Sequence, residues 1–102
     1  GGYRIQTGVL HTFMNFVDHH MDIQNAVDHP RVHCQGQETV VDSRLPESIR
    51  TKLEQAGHNI TTVFAAPGRN LFGRVCAVSR DPSTGELCGG AGPSWSTGIA
   101  GV

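Results

Sequence analysis

Apolar residues near the start of the chain recur every three to four positions, which is the spacing of an amphipathic helix with one face on a core. The stripe consists of Ile5, Val9, Phe13, Phe16 or Val17, and Met21. It predicts a helix over residues 4–20. Asp22 is placed to cap a second, short helix, and Pro30 ends that helix because proline disfavours helical backbone at the residue before it. The chain therefore opens with a helix pair.

The middle of the chain predicts a strand, a helix and a second strand. The β-branched run at 39–41 is typical of a short strand. Pro46 suits the first position of a helix, and Gly57 stands where a left-handed residue would close it. A further strand is predicted over residues 59–64, which are rich in threonine, isoleucine and valine.

The clearest turn signal is Asp-Pro-Ser-Thr-Gly at 81–85, between segments 72–80 and 86–90. Its proline and glycine fit a type I turn that closes with a positive-φ residue, so the flanking segments are predicted to form an antiparallel hairpin. Pairing across this turn would place Val78 opposite Cys88. The predicted order, α-α-β-α-β-β-β, favours an α+β layer with antiparallel strands over alternating βαβ units.

Length and charge exclude several classes of protein. The 102 residues, 10.9 kDa in mass, predict a single domain over 1–102. A formal net charge of −1 does not steer a protein to nucleic acid or to an anionic membrane. The apolar stretches fall far short of the ~20 residues that cross a bilayer. We therefore expect no nucleic-acid partner and no membrane segment.

Six histidines raise the question of a metal site. The candidate ligands are Asp18, His19, His20, Asp22, Asp28, His29, His33 and Cys34. On the predicted first helix, however, His19 and His20 would point about 100° apart, and Asp22 is already required as a helix cap. We expect the histidines to be solvated or hydrogen-bonded, with no native metal and no cofactor.

The three cysteines do not suggest a nucleophile or a disulfide framework. His33 and Cys34 are neighbours, but adjacent side chains on a strand point to opposite faces, so the histidine would not act as base for the thiol. Cys76 and Cys88 lie on the two arms of the predicted hairpin and are expected to be small core residues.

Gly1 and Gly2 directly precede the first predicted helix. Unpaired N–H groups and the positive end of the helix dipole at that position would stabilise a developing negative oxygen. A second glycine-rich stretch, at 89–92, lacks the lysine of a phosphate-binding loop and opens no visible helix, so it is interpreted as a turn or chain end.

The order of several motifs resembles the small subunit of the gamma-glutamyltranspeptidase family. Gly-Gly-Tyr-Arg-Ile at 1–5 leads into the first helix, and Pro-Arg-Val-His at 30–33 follows it. Ala-Gly-His at 56–58, Phe-Gly at 72–73 and Gly-Glu-Leu at 85–87 continue in the family's order. The resemblance covers residues 1–91, and residues 92–102 form a divergent tail.

This resemblance implies an N-terminal-nucleophile hydrolase, a four-layer αββα sandwich made by self-cleavage of a precursor. In such enzymes the freed threonine attacks a γ-glutamyl amide such as that of glutathione. The chain resembles the C-terminal half of the small subunit, which lacks that threonine. It would supply scaffold and the oxyanion hole, formed by the backbone N–H groups of Gly1 and Gly2. Its partners would be the large subunit and the N-terminal part of the small subunit, and the chain alone is expected to be inactive.

One departure from the family pattern leaves the function open. The family commonly has Gly-Ala-x-Asp-Pro-Arg where this chain has Gly-Ala-Gly-Pro-Ser-Trp at 90–95, so both charges are missing. A divergent branch or a different acyl substrate would account for the change. The alternative function is a non-catalytic binding or structural domain descended from the same fold.

Overall fold

The computed structural model describes residues 2–64, 72–92 and 98–101. Within these ranges the chain forms three helices and five strands. The helices are α1 (Arg4–Val17), α2 (Ile23–Asp28) and α3 (Glu47–Gln55). The strands are β1 (Val32–Gln35), β2 (Glu38–Asp42), β3 (Asn59–Val63), β4 (Cys76–Arg80) and β5 (Leu87–Ala91). The architecture is α+β, as predicted.

The first sheet has the strand order β1-β2-β3. β1 and β2 are antiparallel and are joined through Gly36 and Gln37, where Gly36 has φ +82°. The sequence pattern predicts no strand at β1, because residues 35–38 are polar. β2 and β3 are parallel, with α3 between them in the chain. This pair departs from the antiparallel pairing expected for the strands, since a crossover helix allows parallel pairing.

The second sheet is the predicted antiparallel hairpin of β4 and β5. Its turn is closed by Asp81, whose N–H donates to Glu86 O at 2.9 Å, and Gly85 adopts φ +74°. This closure pairs Ser79 with Cys88 and places Gly89 opposite Val78. The predicted pairing of Val78 with Cys88 is therefore wrong by one residue, because the turn closes at Asp81–Glu86.

The buried apolar core centres on α2, which packs against α1 and the hairpin. Its members are Ile23, Ala26, Val27, Val41 and Val75. Asp22 caps α2 as predicted: its carboxylate accepts a hydrogen bond from Asn25 N–H at 2.9 Å. The short helix α2 is thus fixed both by its cap and by burial on its apolar face.

Helix α1 ends at Val17, three residues before the predicted end, and His20 beyond it has φ +55°. Its apolar stripe does not face a core: Ile5 and Val9 are each 56% exposed and Phe13 is 63% exposed. The inward side is small and polar, with Gly8 and Thr12 buried. The prediction that the apolar stripe lies on a core is therefore wrong within the part of the chain described here.

None of the helices in the described ranges has the length and apolar character required to span a bilayer.

Candidate functional site

The N-terminus of α1 carries the sequence-predicted Gly2. Gly2 is exposed and has φ +60°, a left-handed conformation that favours glycine. A Cβ at this position would meet no described atom within 4 Å. Backbone conformation, and not crowding by its neighbours in these ranges, therefore selects glycine here. Gly1, the other predicted oxyanion donor, lies outside the described residues.

The N-terminal end of α1 has no acidic or capping side chain among the described residues. Tyr3 precedes the helix without a side-chain hydrogen bond, and no residue of the first turn is acidic. The carbonyl of Gly2 accepts from Ile5 N–H at 3.3 Å, which closes the turn into the helix. Free helix N–H groups and the positive end of the dipole make such a terminus suited to an oxyanion.

The segment at Phe72 and Gly73 crosses the first two turns of α1 at close range. A Cβ on Gly8 would stand 3.2 Å from the Phe72 carbonyl oxygen. A Cβ on Gly73, which has φ +80°, would stand 3.1 Å from the carbonyl oxygen of Arg4. Glycine at both contact points lets the two backbones approach, so this segment holds the Gly2 end of α1 in place.

Arg31 links the crossing segment to α2. Its side chain is buried, with the residue 7% exposed. Nη1 donates to Phe72 O at 3.1 Å and to Gly73 O at 3.2 Å, while Nη2 donates to Val27 O at 2.7 Å. Burial lowers the pKa of the guanidinium from its usual value. The guanidinium therefore satisfies three carbonyls beneath the Gly2 end of α1, a role that the sequence motif alone does not reveal.

His33 forms a second link to α1. It is 4% exposed, and its Nδ1 lies 2.9 Å from Thr7 Oγ1 in the first turns of the helix. Its Nε2 lies 3.4 Å from Gln35 Oε1. A proton on Nε2 lets Nδ1 accept the Thr7 hydroxyl hydrogen. Cys34 is exposed, so the two neighbours point to opposite faces of β1 as predicted.

Several of the other candidate histidines and carboxylates have separate partners. Asp22 caps α2, and His29 Nδ1 lies 3.1 Å from Pro30 O. His58, a further histidine, has Nδ1 3.0 Å from Thr39 Oγ1. Residues 2–64, 72–92 and 98–101 contain no group of three histidine, cysteine, aspartate or glutamate side chains placed to hold a metal ion.

An open groove of about 440 Å³ lies beside the end of α2. It is lined by Met21, Asn25, Asp28, His29, Pro30 and Arg44. Arg44 Nη1 lies 3.1 Å from Asp28 Oδ1, and its Nη2 lies 2.8 Å from Oδ2 of the buried Asp42. The hydrogen bonds to Asp42 raise the pKa of the Arg44 guanidinium. Asp28 and Asp42 both pair with Arg44, so the guanidinium of this groove is not available as an unpaired charge for an anionic ligand.

Cys34, Cys76 and Cys88 are free and exposed. The prediction that Cys76 and Cys88 are core residues is wrong. Cys76 lies on the same outward side of the hairpin as the exposed Val78, and the described ranges place no element over that side chain.

Comparisons with known proteins agree with this architecture. The family model described as gamma-glutamyltranspeptidase matches residues 1–102. The acylase ACY 1 proenzyme of a Pseudomonas species is 33% identical over 91 residues, which are 89% of this chain and 15% of the acylase.

Solved structures of the family include two that are similar to this chain in both fold and sequence. Gamma-glutamyltranspeptidase of Helicobacter pylori is 30% identical with a TM-score of 0.78, over 92% of this chain and 50% of that one. Cephalosporin acylase of Bacillus halodurans is 34% identical with a TM-score of 0.81, over 91% of this chain and 17% of that one. The chain thus spans about half the length of the transpeptidase chain and a smaller share of both acylases. It belongs to the gamma-glutamyltranspeptidase family, within the N-terminal-nucleophile hydrolases.

Proposed function

We propose that this chain is part of an enzyme that transfers or hydrolyses the acyl group of γ-glutamyl amides such as glutathione. Its contribution is the oxyanion-binding end of α1, at Gly1 and Gly2, together with the scaffold that holds it. The observation that carries the proposal is the left-handed Gly2 at the uncapped N-terminus of α1, in a chain of this family.

The chemistry follows from where charge develops during acyl transfer. A nucleophile that attacks an amide carbonyl converts the carbonyl oxygen into an oxyanion. Backbone N–H donors aimed at that oxygen stabilise the transition state more than the substrate, which raises kcat. The N–H groups of Gly1 and Gly2 would serve as these donors, with the α1 dipole adding to their effect.

The remainder of the precursor would complete the active site. The threonine nucleophile and the groups that recognise the γ-glutamyl carboxylate and amine would come from the large subunit and the N-terminal part of the small subunit. The acylase relative is itself described as a proenzyme, and the relatives are longer than this chain. Both observations support a partnership with the rest of a processed precursor.

A second acyl substrate has specific support. The cephalosporin acylase of Bacillus halodurans is 34% identical to this chain, as similar as the transpeptidases are. The segment at 90–95 also lacks the aspartate and arginine that are common in transpeptidases. The second candidate is therefore an acylase that removes a side-chain acyl group from a cephalosporin by the same oxyanion chemistry.

The test uses the protein expressed from the complete reading frame that encodes these residues. Self-cleavage, kcat and KM are measured with a γ-glutamyl anilide and with a cephalosporin that carries a side-chain amide. Turnover of the anilide supports the first candidate, and turnover of only the cephalosporin supports the second. A protein that neither cleaves itself nor turns over either substrate contradicts both and favours the non-catalytic domain.

Substitutions at Gly2 test the residue assignment. Gly2→Pro removes the N–H donor and should lower kcat by roughly 10²–10³-fold. Gly2→Ala keeps the N–H and should lose less activity. Gly57→Ala is the matched control for backbone strain, because Gly57 also has positive φ (+100°) and open space around it, but lies beyond α3. A Gly2→Pro enzyme that matures and turns over at the parental rate would show that Gly2 is not an oxyanion donor.

A further inference from the structure

The inward face of α1 consists of small and polar residues. The residues on this face are Arg4, Thr7, Gly8, His11, Thr12 and Asn15, all buried or half-buried. The apolar residues of the helix lie on the other side and are exposed in the described ranges. The hydrophobic effect is non-directional, and this face has few apolar side chains through which it could act. Directional polar contacts therefore add to the close packing of the Phe72–Gly73 segment in fixing where α1 lies along its axis.

Among the described residues, two side-chain hydrogen bonds connect this face to other elements. Asn15 Nδ2 donates to Ala26 O at 3.3 Å near the far end of the helix. Thr7 Oγ1 lies 2.9 Å from His33 Nδ1, one turn from the start. Thr12, between them, is buried with no hydrogen-bond partner for its hydroxyl among the described residues. The Thr7–His33 bond is therefore the side-chain tether closer to Gly2.

His33 provides a rigid acceptor for that tether. It pairs with Val40 in the middle of the β1–β2 ladder and is 4% exposed. The contact between its Nε2 and Gln35 Oε1 favours the tautomer in which Nδ1 is the acceptor. Because this ring is buried on a paired strand, Thr7 contacts a fixed element of the sheet.

We infer that Thr7 and His33 are positioning residues for acyl transfer, and that their hydrogen bond aligns the N–H groups at the Gly2 end of α1 with the reacting carbonyl. This inference rests on the proposed function. Thr7 lies about 4.5 Å along the axis from Arg4, the first residue of α1, at a rise of 1.5 Å per residue, and Gly2 stands two residues before Arg4. A shift or rotation of α1 at Thr7 therefore carries its N-terminus with it. A misplacement of about 1 Å at the reacting centre can cost on the order of 10²-fold in rate.

The first test compares the same substitution at two positions of one helix face. In the complete enzyme, Thr7→Val removes the hydroxyl that donates to His33 and should lower kcat by roughly tenfold or more with little change in KM. Thr12→Val removes a buried hydroxyl that has no described partner and should leave kcat unchanged. Thr7→Ser keeps the donor and should restore most of the rate. Equal kcat values for the Thr7→Val and Thr12→Val enzymes would overturn the inference.

A second pair of variants keeps the test decisive should Thr7→Val fail to fold. His33→Asn places an acceptor oxygen where Nδ1 stood, whereas His33→Leu has nearly the same shape without an acceptor. We expect the asparagine enzyme to exceed the leucine enzyme in kcat by several-fold at equal KM. In the His33→Leu background, Thr7→Val should cost nothing further. Equal rates for the two His33 variants contradict the inference.

The outcome at Gly2 distinguishes failure of this inference from failure of the proposed function. If the parental enzyme is active and Gly2→Pro abolishes this activity while Thr7→Val does not, Gly2 is an oxyanion donor and the Thr7–His33 contact does not position it. A protein that is insensitive to Gly2→Pro lacks the proposed site itself.

Discussion

The carbonyl oxygen of Ile23 lies so close to Gly90 that a Cβ on the glycine would stand 2.7 Å from it. Helix α2 and strand β5 therefore meet at their backbones. The side chain of Gln24 completes the junction: its Nε2 donates to Ala91 O at 3.0 Å, and its Oε1 accepts from Ala91 N–H at 3.0 Å. The glutamine amide thus pairs with β5 as a neighbouring strand would.

This junction predicts a strong effect of a single methyl group. Gly90→Ala should lower the free energy of unfolding by about 1–3 kcal/mol, because the new Cβ must push backbone atoms apart. Gly92→Ala, two residues along, is the control, since its Cβ would meet nothing closer than 3.5 Å. Urea denaturation of the two variants measures the difference. Equal midpoints would show that α2 can move away from β5 at little cost.

The buried guanidinium of Arg31 predicts a second large effect. Arg31→Met fills similar space but leaves the carbonyls of Val27, Phe72 and Gly73 without their side-chain donor, which should cost about 2–5 kcal/mol of stability. Arg31→Lys should recover only part of it, because an ammonium lacks the planar fork of donors. Arg80→Met, at the exposed end of β4, should change little. Thermal melting of all three variants provides the comparison.

Half-buried His11 predicts how stability depends on pH. Burial, and then neighbouring positive charges led by that of Arg31, lower its pKa from 6.5 in the folded chain. The unfolded chain therefore binds this proton at a higher pH than the folded chain does. Above pH 6.5, His11 is neutral in both states and the free energy of unfolding is unaffected by its protonation. As the pH falls from 6.5 toward the lower folded pKa, protonation of the unfolded chain lowers the free energy of unfolding.

Urea midpoints measured between about pH 7.5 and pH 5.5 test this dependence. We expect the midpoint to fall with pH, and to fall less in His11→Gln, which cannot take up the proton. Because burial is the main cause, about 0.5 M salt should leave most of the difference between the two proteins. The same slope in both proteins would show that another group controls the pH dependence.

The exposed side of α1 predicts association of the isolated chain. Ile5, Val9 and Phe13 are 56–63% exposed, and Val78 and Leu87 on the hairpin are 68% and 69% exposed. Exposed apolar side chains in this number favour self-association. Val9→Lys combined with Phe13→Lys should reduce association in sedimentation experiments without lowering the melting temperature. A parental chain that is monomeric and high-melting would instead favour an autonomous, non-catalytic domain.

Features decided by neighbouring residues could be predicted from the sequence. The Asp22 cap is present, and Gly57 and Gly85 adopt φ +100° and +74° at the ends of α3 and the hairpin turn. Helix α3 begins one residue later than expected, after Pro46, because the extended ψ of 143° at Pro46 is not helical. In each case the deciding chemistry lies within a few residues of the chain.

Features decided by distant partners could not be predicted in this way. β1 exists because Val32–Gln35 pairs with β2, not because of its own β propensity. The apolar stripe of α1 predicts a helix, but it does not predict which face of that helix is buried against the other described residues. Gly2 could be proposed from its position before a helix and from the family resemblance. The roles of Arg31 and His33 depend on Phe72, Gly73 and Thr7, so their contacts appear only in the folded chain.

The contacts of Arg31 also bear on the order in which the chain folds. Its hydrogen bonds to Phe72 and Gly73 span 41 and 42 residues, whereas the helix pair and the β4–β5 hairpin are built from near neighbours. Closing a long loop costs entropy before any contact offsets that cost, so such links form late. We expect the Gly2 end of α1 to become ordered only after both sheets exist. In a self-cleaving precursor, this sequence of events would keep the proposed oxyanion-binding end incomplete until the scaffold around it is built.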